Sequence, residues 1–117
     1  MTFKEKLTSI SDELELELSM AKYCAAIRDK MAEAAQSGYR TFQIEIARHI
    51  GGGSTFIAEP DAKNCYTIMS TYKPDKMAVI LNKVKDYLYQ LGFSPNDIEQ
   101  TSIRNNTYQA VVLKLWW

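Results

Sequence analysis

The stretch DELELELS, Asp12 to Ser19, sets Leu14, Leu16 and Leu18 at every second position with a glutamate between each. A period of two belongs to a half-buried strand, and leucines three and four apart belong to a helix. Which of the two holds here decides the fold class.

The residues upstream favour a helix. In TFKE, Thr2 stands where an N-cap would, and Glu5 follows three residues later, the reciprocal pattern that satisfies two orphan backbone donors. From Phe3 onward, Phe3, Leu7, Ile10, Leu14, Leu18, Ala21 and Ala25 recur at spacings of three and four. Leu16 then joins Met20, Tyr23, Ile27 and Ala34 on a second face, roughly 160–200° away at about 100° per residue. Glutamate and leucine are good helix formers and glutamate is depleted in strands. The spacing therefore predicts one helix from Phe3 to the cap at Gly38, with a kink near Ser9–Ser11 left open. Its apolar surface wraps more than half the circumference, leaving Lys4, Glu15, Lys22, Asp29 and Glu33 on a polar strip. A helix lying on one sheet needs a narrower stripe, so a second element or another subunit is expected to cover the remainder.

Downstream, RTFQIEIARHI alternates Phe42, Ile44 and Ile46 against Gln43, Glu45 and Ala47, a half-buried strand. The segment GGGSTFIAEPDAK reads as a long flexible loop. NCYTIMSTY reads as a second strand, expected to pair antiparallel with the first. Pro74 suits the first turn of a second helix whose Met77, Ile80, Leu81, Val84, Leu88 and Leu91 form one apolar face, ending at Gly92-Phe93. IEQTSIR and TYQAVVLKLWW make a closing hairpin around Asn105 and Asn106, the last strand being the most apolar and so central.

The order helix, strand, strand, helix, strand, strand predicts an α+β two-layer domain, with both helices on one face of a four-stranded antiparallel sheet. With an offset of 54, Gln36, Gly38, Tyr39, Ile44 and Glu45 align with Gln90, Gly92, Phe93, Ile98 and Glu99, which suggests a weak internal duplication or convergent capping. At 117 residues, with 46% hydrophobic and 24% charged, the chain is expected to form a single domain over 1–117.

Fourteen basic residues balance fourteen acidic ones, so no bulk field attracts nucleic acid or an anionic membrane. No apolar run is long enough to span a bilayer and the start lacks a signal-peptide core, which predicts a cytoplasmic protein. Cys24 and Cys65 read as reduced, half-buried thiols, with a disulfide or a reactive thiol as the alternatives. No metal site or cofactor is expected, since His49 is the only histidine.

Three classes of function are open. Protein binding as a homo-oligomer is favoured, with Leu16, Met20, Tyr23, Ile27, Trp116 and Trp117 as the expected interface. A nucleotide or nucleic-acid binder would use Arg48, His49, Gly51, Gly52, Gly53, Ser54 and Tyr72, a glycine nest flanked by charge and a stacking ring. In that class Lys73, Lys76, Lys83 and Lys85 add a basic flavour to the second helix, among Tyr72, Tyr87 and Tyr89, although a solvated helix face explains them better. The GGGS segment lacks the GK[ST] ending of a phosphate loop. A hydrolase-like enzyme would need His49 beside Cys65 or Ser54, but neither is framed by a nucleophile signature and no paired-carboxylate site is apparent. An enzyme is therefore not expected.

AAQSGYRTFQIEI, YQLGF and NTYQAVVLKLWW together resemble, in order and spacing, a group of small bacteriophage and prophage accessory proteins. The resemblance implies a binding role: inhibiting a host enzyme, countering bacterial defence or sequestering a nucleotide signal in the host cytoplasm. The group shares no site motif, so no residue role carries over from it.

Overall fold

The computed structural model of the chain describes residues 2–49, 63–69, 74–104 and 108–117. It is an α+β fold with the elements α1 (Phe3–Gln36), β1 (Thr41–His49), β2 (Cys65–Met69), α2 (Pro74–Gln90), a short 3-10 turn (Pro95–Asp97), β3 (Ile98–Arg104) and β4 (Tyr108–Trp116).

α1 begins as its cap chemistry dictates. The Glu5 backbone N–H donates to Thr2 Oγ1 at 3.2 Å, and the Thr2 N–H donates to Glu5 Oε2 at 3.3 Å. It continues through Ser9–Ser11 as one 34-residue helix. Both helices end in the same motif. The Tyr39 N–H reaches the Ala34 carbonyl and the Gly38 N–H the Ala35 carbonyl, while Phe93 and Gly92 do the same to Leu88 and Tyr89. Gly38 and Gly92 adopt φ of 93° and 103°, the left-handed region that such an ending requires.

The sheet order is β2-β1-β4-β3. β4 lies inside the sheet, antiparallel to β1 along their full length, from Thr41 opposite Trp116 to His49 opposite Tyr108. β3 pairs antiparallel with β4 as the closing hairpin, Ile98 opposite Leu115 and Arg104 opposite Gln109. The expected turn residues Asn105 and Asn106 lie outside the described residues.

One expectation fails: β1 and β2 pair in parallel, with Gln43 opposite Cys65 and Ala47 opposite Met69. The sheet is mixed, not antiparallel. Residues 50–64 separate the two strands, and a connection of about a dozen residues or more is long enough to return the chain to the starting end of β1. The two halves of the chain therefore differ in strand pairing, parallel in one and antiparallel in the other. The likeness at an offset of 54 extends to the cap geometry and to the strand that follows each cap, and does not extend to the pairing of β1 with β2 and of β3 with β4.

Phe42, Ile44 and Ile46 of β1, Ile68 of β2, and Leu113 and Leu115 of β4 share one sheet face. On that face they form a single core cluster with both helices, α2 supplying Met77, Ile80, Val84 and Leu88. β3 contributes little: only Ile98 is half-buried, so it forms a polar edge beyond the helical cover.

A candidate binding surface on the first helix

The sheet selects one of the two apolar faces of α1. Leu16, Met20, Ile27, Met31 and Ala34 are buried in the core cluster, and Tyr23 and Cys24 pack against it. This corrects the expected interface: Leu16, Met20 and Ile27 are core residues covered by the sheet and α2. Tyr23 is half-buried, as is Tyr66 of β2. Burial, and secondarily Tyr23, raises the Tyr66 pKa above its ordinary value.

The other face is bare. Phe3 is 75% exposed, Leu7 49%, Ile10 54%, Leu14 55% and Leu18 66%. By helical geometry this stripe is centred roughly 135° around α1 from the core face. Every residue from Thr2 to Glu15 is exposed, so the first part of the helix is an arm lying beyond the sheet, about 20 Å long at 1.5 Å per residue. The radius of gyration is 15.6 Å, against about 13 Å for a compact chain of this size, in the direction a projecting arm requires.

The arm's edges are charged and unlike. Lys6, Glu13 and Glu17 border the stripe on one side, Lys4, Ser11, Glu15 and Lys22 on the other, and all are exposed. Where α1 passes over α2 the stripe gives way to small side chains. Ala21 and Ala25, with Cys24, Arg28, Lys83 and Tyr87, line an open groove of about 850 Å³ between the helices. Burial raises the Cys24 thiol above its ordinary pKa, which lowers its reactivity.

A second exposed apolar region lies at the end of β4. Trp116 is 36% exposed and Trp117 41%. Register places Trp116 on the sheet face away from the helices, where the Lys114 ammonium sits 5.3 Å from its ring centroid. The Trp117 N–H donates to the Arg40 carbonyl at 3.2 Å, which anchors the strand end. Neither tryptophan is absorbed by the core.

Of the residues expected to hold a nucleotide, Arg48 is described. Its Nε and Nη2 donate to Gln109 Oε1 at 3.2 and 3.1 Å, so part of its guanidinium already serves the pairing of β1 with β4. His49 is placed by its backbone at the end of β1, opposite Tyr108, and its side chain lies outside the described set. Gly51, Gly52, Gly53, Ser54, Tyr72 and Lys73 also fall outside it. Lys83 and Lys85 are on α2, Lys83 on the groove and Lys85 half-buried. Cys65 is half-buried at the start of β2.

Sequence reasoning identified both faces of α1 but assigned them the wrong way round. The distinguishing signal was position along the chain. Leu16 to Ala34 occupy the part of the helix nearest β1, whereas most of the bare stripe lies ahead of it.

Among the described residues, no group of three or more His, Cys, Asp or Glu side chains could hold a metal ion, and no helix is long and apolar enough to cross a membrane. No protein-family model matches the chain, and comparisons with curated proteins and with solved structures found no match.

Proposed function

We propose that this chain is a small non-enzymatic accessory protein, of the bacteriophage or prophage kind, that self-associates and engages a host protein. The observation that carries this is the stripe from Phe3 to Leu18, five large apolar side chains left about half or more exposed on one helix. Their accessible area is on the order of 500 Å², at the upper end of what lone soluble domains leave uncovered. The Trp-ended strand supplies a second contact of the type that anchors protein interfaces, aromatic and spatially separate from the arm.

Affinity capture from host lysate tests this with three baits: the wild type, Leu14→Lys, and the double variant Trp116→Ala/Trp117→Ala. A specific host protein is retained by the wild type and lost with one of the variants, while both variants keep the far-ultraviolet spectrum of the folded chain. Identical captures by all three baits would remove both surfaces from the function. A rise in melting temperature with a nucleotide or short oligonucleotide would favour a ligand-sequestering role instead.

A further inference from the structure

We propose that the bare stripe of α1 is covered by a second copy of this chain, the two arms pairing antiparallel about a twofold axis between Ile10 and Ser11. This rests on reading the stripe as a binding surface and names its occupant and register.

Both the apolar spacing and the charges select that axis. Reversing the helix about this point brings together residues whose numbers sum to 21. Phe3 then meets Leu18 of the second copy, Leu7 meets Leu14, and the two Ile10 side chains meet at the axis. All five stripe positions are filled, with no apolar side chain left facing a charge.

In an antiparallel pair each edge of the stripe faces the same edge of the other helix. Lys6 therefore sits between Glu13 and Glu17 of the second copy, each about 3 Å along the axis from the level point, and Lys4 lies the same distance from Glu15. Lys22, on the edge of Lys4, is about 7.5 Å from its level point.

Two alternatives fail on charge, and an axis between Thr8 and Ser9, which keeps the favourable charges, leaves Leu18 unpaired. Shifting the axis to Leu14 also aligns apolar positions, Phe3 with Ala25 and Ile10 with Leu18. It gathers Glu13 and Glu17 of both copies on one edge and sets the two Glu15 side chains beside each other. Parallel pairing faces unlike edges, which places Lys6 beside Lys4 and Glu15 between Glu13 and Glu17. Like charges across a helix seam disfavour both arrangements.

The area agrees. The two stripes together bury on the order of 1,000 Å², the lower bound for a specific interface. The arm also gains a partner it lacks among the described residues of its own chain, since a helical segment of this length is marginal in water without tertiary contacts.

Light scattering across a concentration series, combined with cysteine cross-linking in a Cys24→Ser/Cys65→Ser background, tests the proposal. The wild type forms a dimer. Ile10→Cys oxidises to a covalent dimer, Leu14→Cys and Leu18→Cys alone do not, and Leu7→Cys mixed with Leu14→Cys forms the hetero-linked species. If the cysteine-free background does not fold, the same links are read in the natural background by mass spectrometry of the joined peptides. Lys6→Glu weakens the dimer by roughly tenfold, and adding Glu13→Lys and Glu17→Lys restores it.

Self-linking at Leu14, or at every position tested, overturns the antiparallel register. A monomer at the highest concentration the protein tolerates overturns the second copy as occupant. If the Leu14→Lys bait also loses its host protein, that outcome leaves the binding surface standing with a different partner.

Discussion

Leu14 and Leu16 stand two residues apart on α1 and in opposite environments: Leu14 is 55% exposed and Leu16 is 8% exposed, within the core. About 200° of helical rotation separates them, so the alternation that looks like a strand arises from two helical faces. One face holds the domain together, and the other is available to a partner.

Truncating these two leucines has unequal consequences. Leu16→Ala removes buried contacts with the core cluster and lowers unfolding free energy by about 2–4 kcal/mol. Leu14→Ala, measured by chemical denaturation in dilute solution, changes it by less than about 0.5 kcal/mol. Equal losses would place both residues in the core.

A proline at Ser11 separates arm from body. Within a packed helix such a change costs about 3 kcal/mol or more, but here every residue from Thr2 to Glu15 is exposed. Ser11→Pro is expected to reduce the helical circular dichroism of the arm and abolish any dimer, while the thermal midpoint of the body in dilute solution stays close to wild type. A collapse of that midpoint would show that the arm supports the sheet.

How far the fold can be read from the sequence depends on the range of the forces involved. The Thr2–Glu5 cap and the Gly38 and Gly92 endings are set by residues within one turn, so their chemistry is legible directly. The direction of β2 relative to β1 depends on how residues 50–64 return the chain. The alternation in β1 is equally compatible with either direction, and only the length of that connection hinted at a parallel neighbour. The faces of α1 fall between these cases: local spacing reveals two, but the sheet, a distant element, decides which is buried. The bare stripe was legible as excess apolar area and illegible as particular residues for the same reason.

Gly38→Ala and Gly92→Ala each cost about 1–2 kcal/mol through backbone strain alone. Both glycines lie at positive φ, and an added Cβ meets nothing within 4 Å at either. Differential scanning calorimetry should give similar losses at the two sites, and Gly92→Asn should lose less, since asparagine tolerates that conformation. A much larger loss at one site would indicate a steric conflict beyond backbone strain.

Burial raises the Glu45 carboxyl above its ordinary pKa. The folded chain holds that proton to higher pH than the unfolded chain, so stability falls as pH rises from the ordinary carboxylate value through the raised one. Glu45→Gln should therefore be more stable than wild type at neutral pH, with the advantage vanishing below about pH 4. Denaturation at the two pH values checks this, and a constant difference between the proteins would rule out titration as its cause.

The pairing of Thr41 with Trp116 carries a consequence for how the protein is made. β1 receives its principal neighbour from the far end of the chain, so a nascent polypeptide synthesises both helices before the sheet can close. Contacts so distant in sequence form slowly. During that interval the core on which Leu16, Met20 and Ile27 rest lacks Leu113 and Leu115 of β4, and α1 offers a chaperone more adhesive surface than it keeps. Closure of β4 onto β1 is thus the event that completes the core and narrows what α1 can adhere to down to a single stripe.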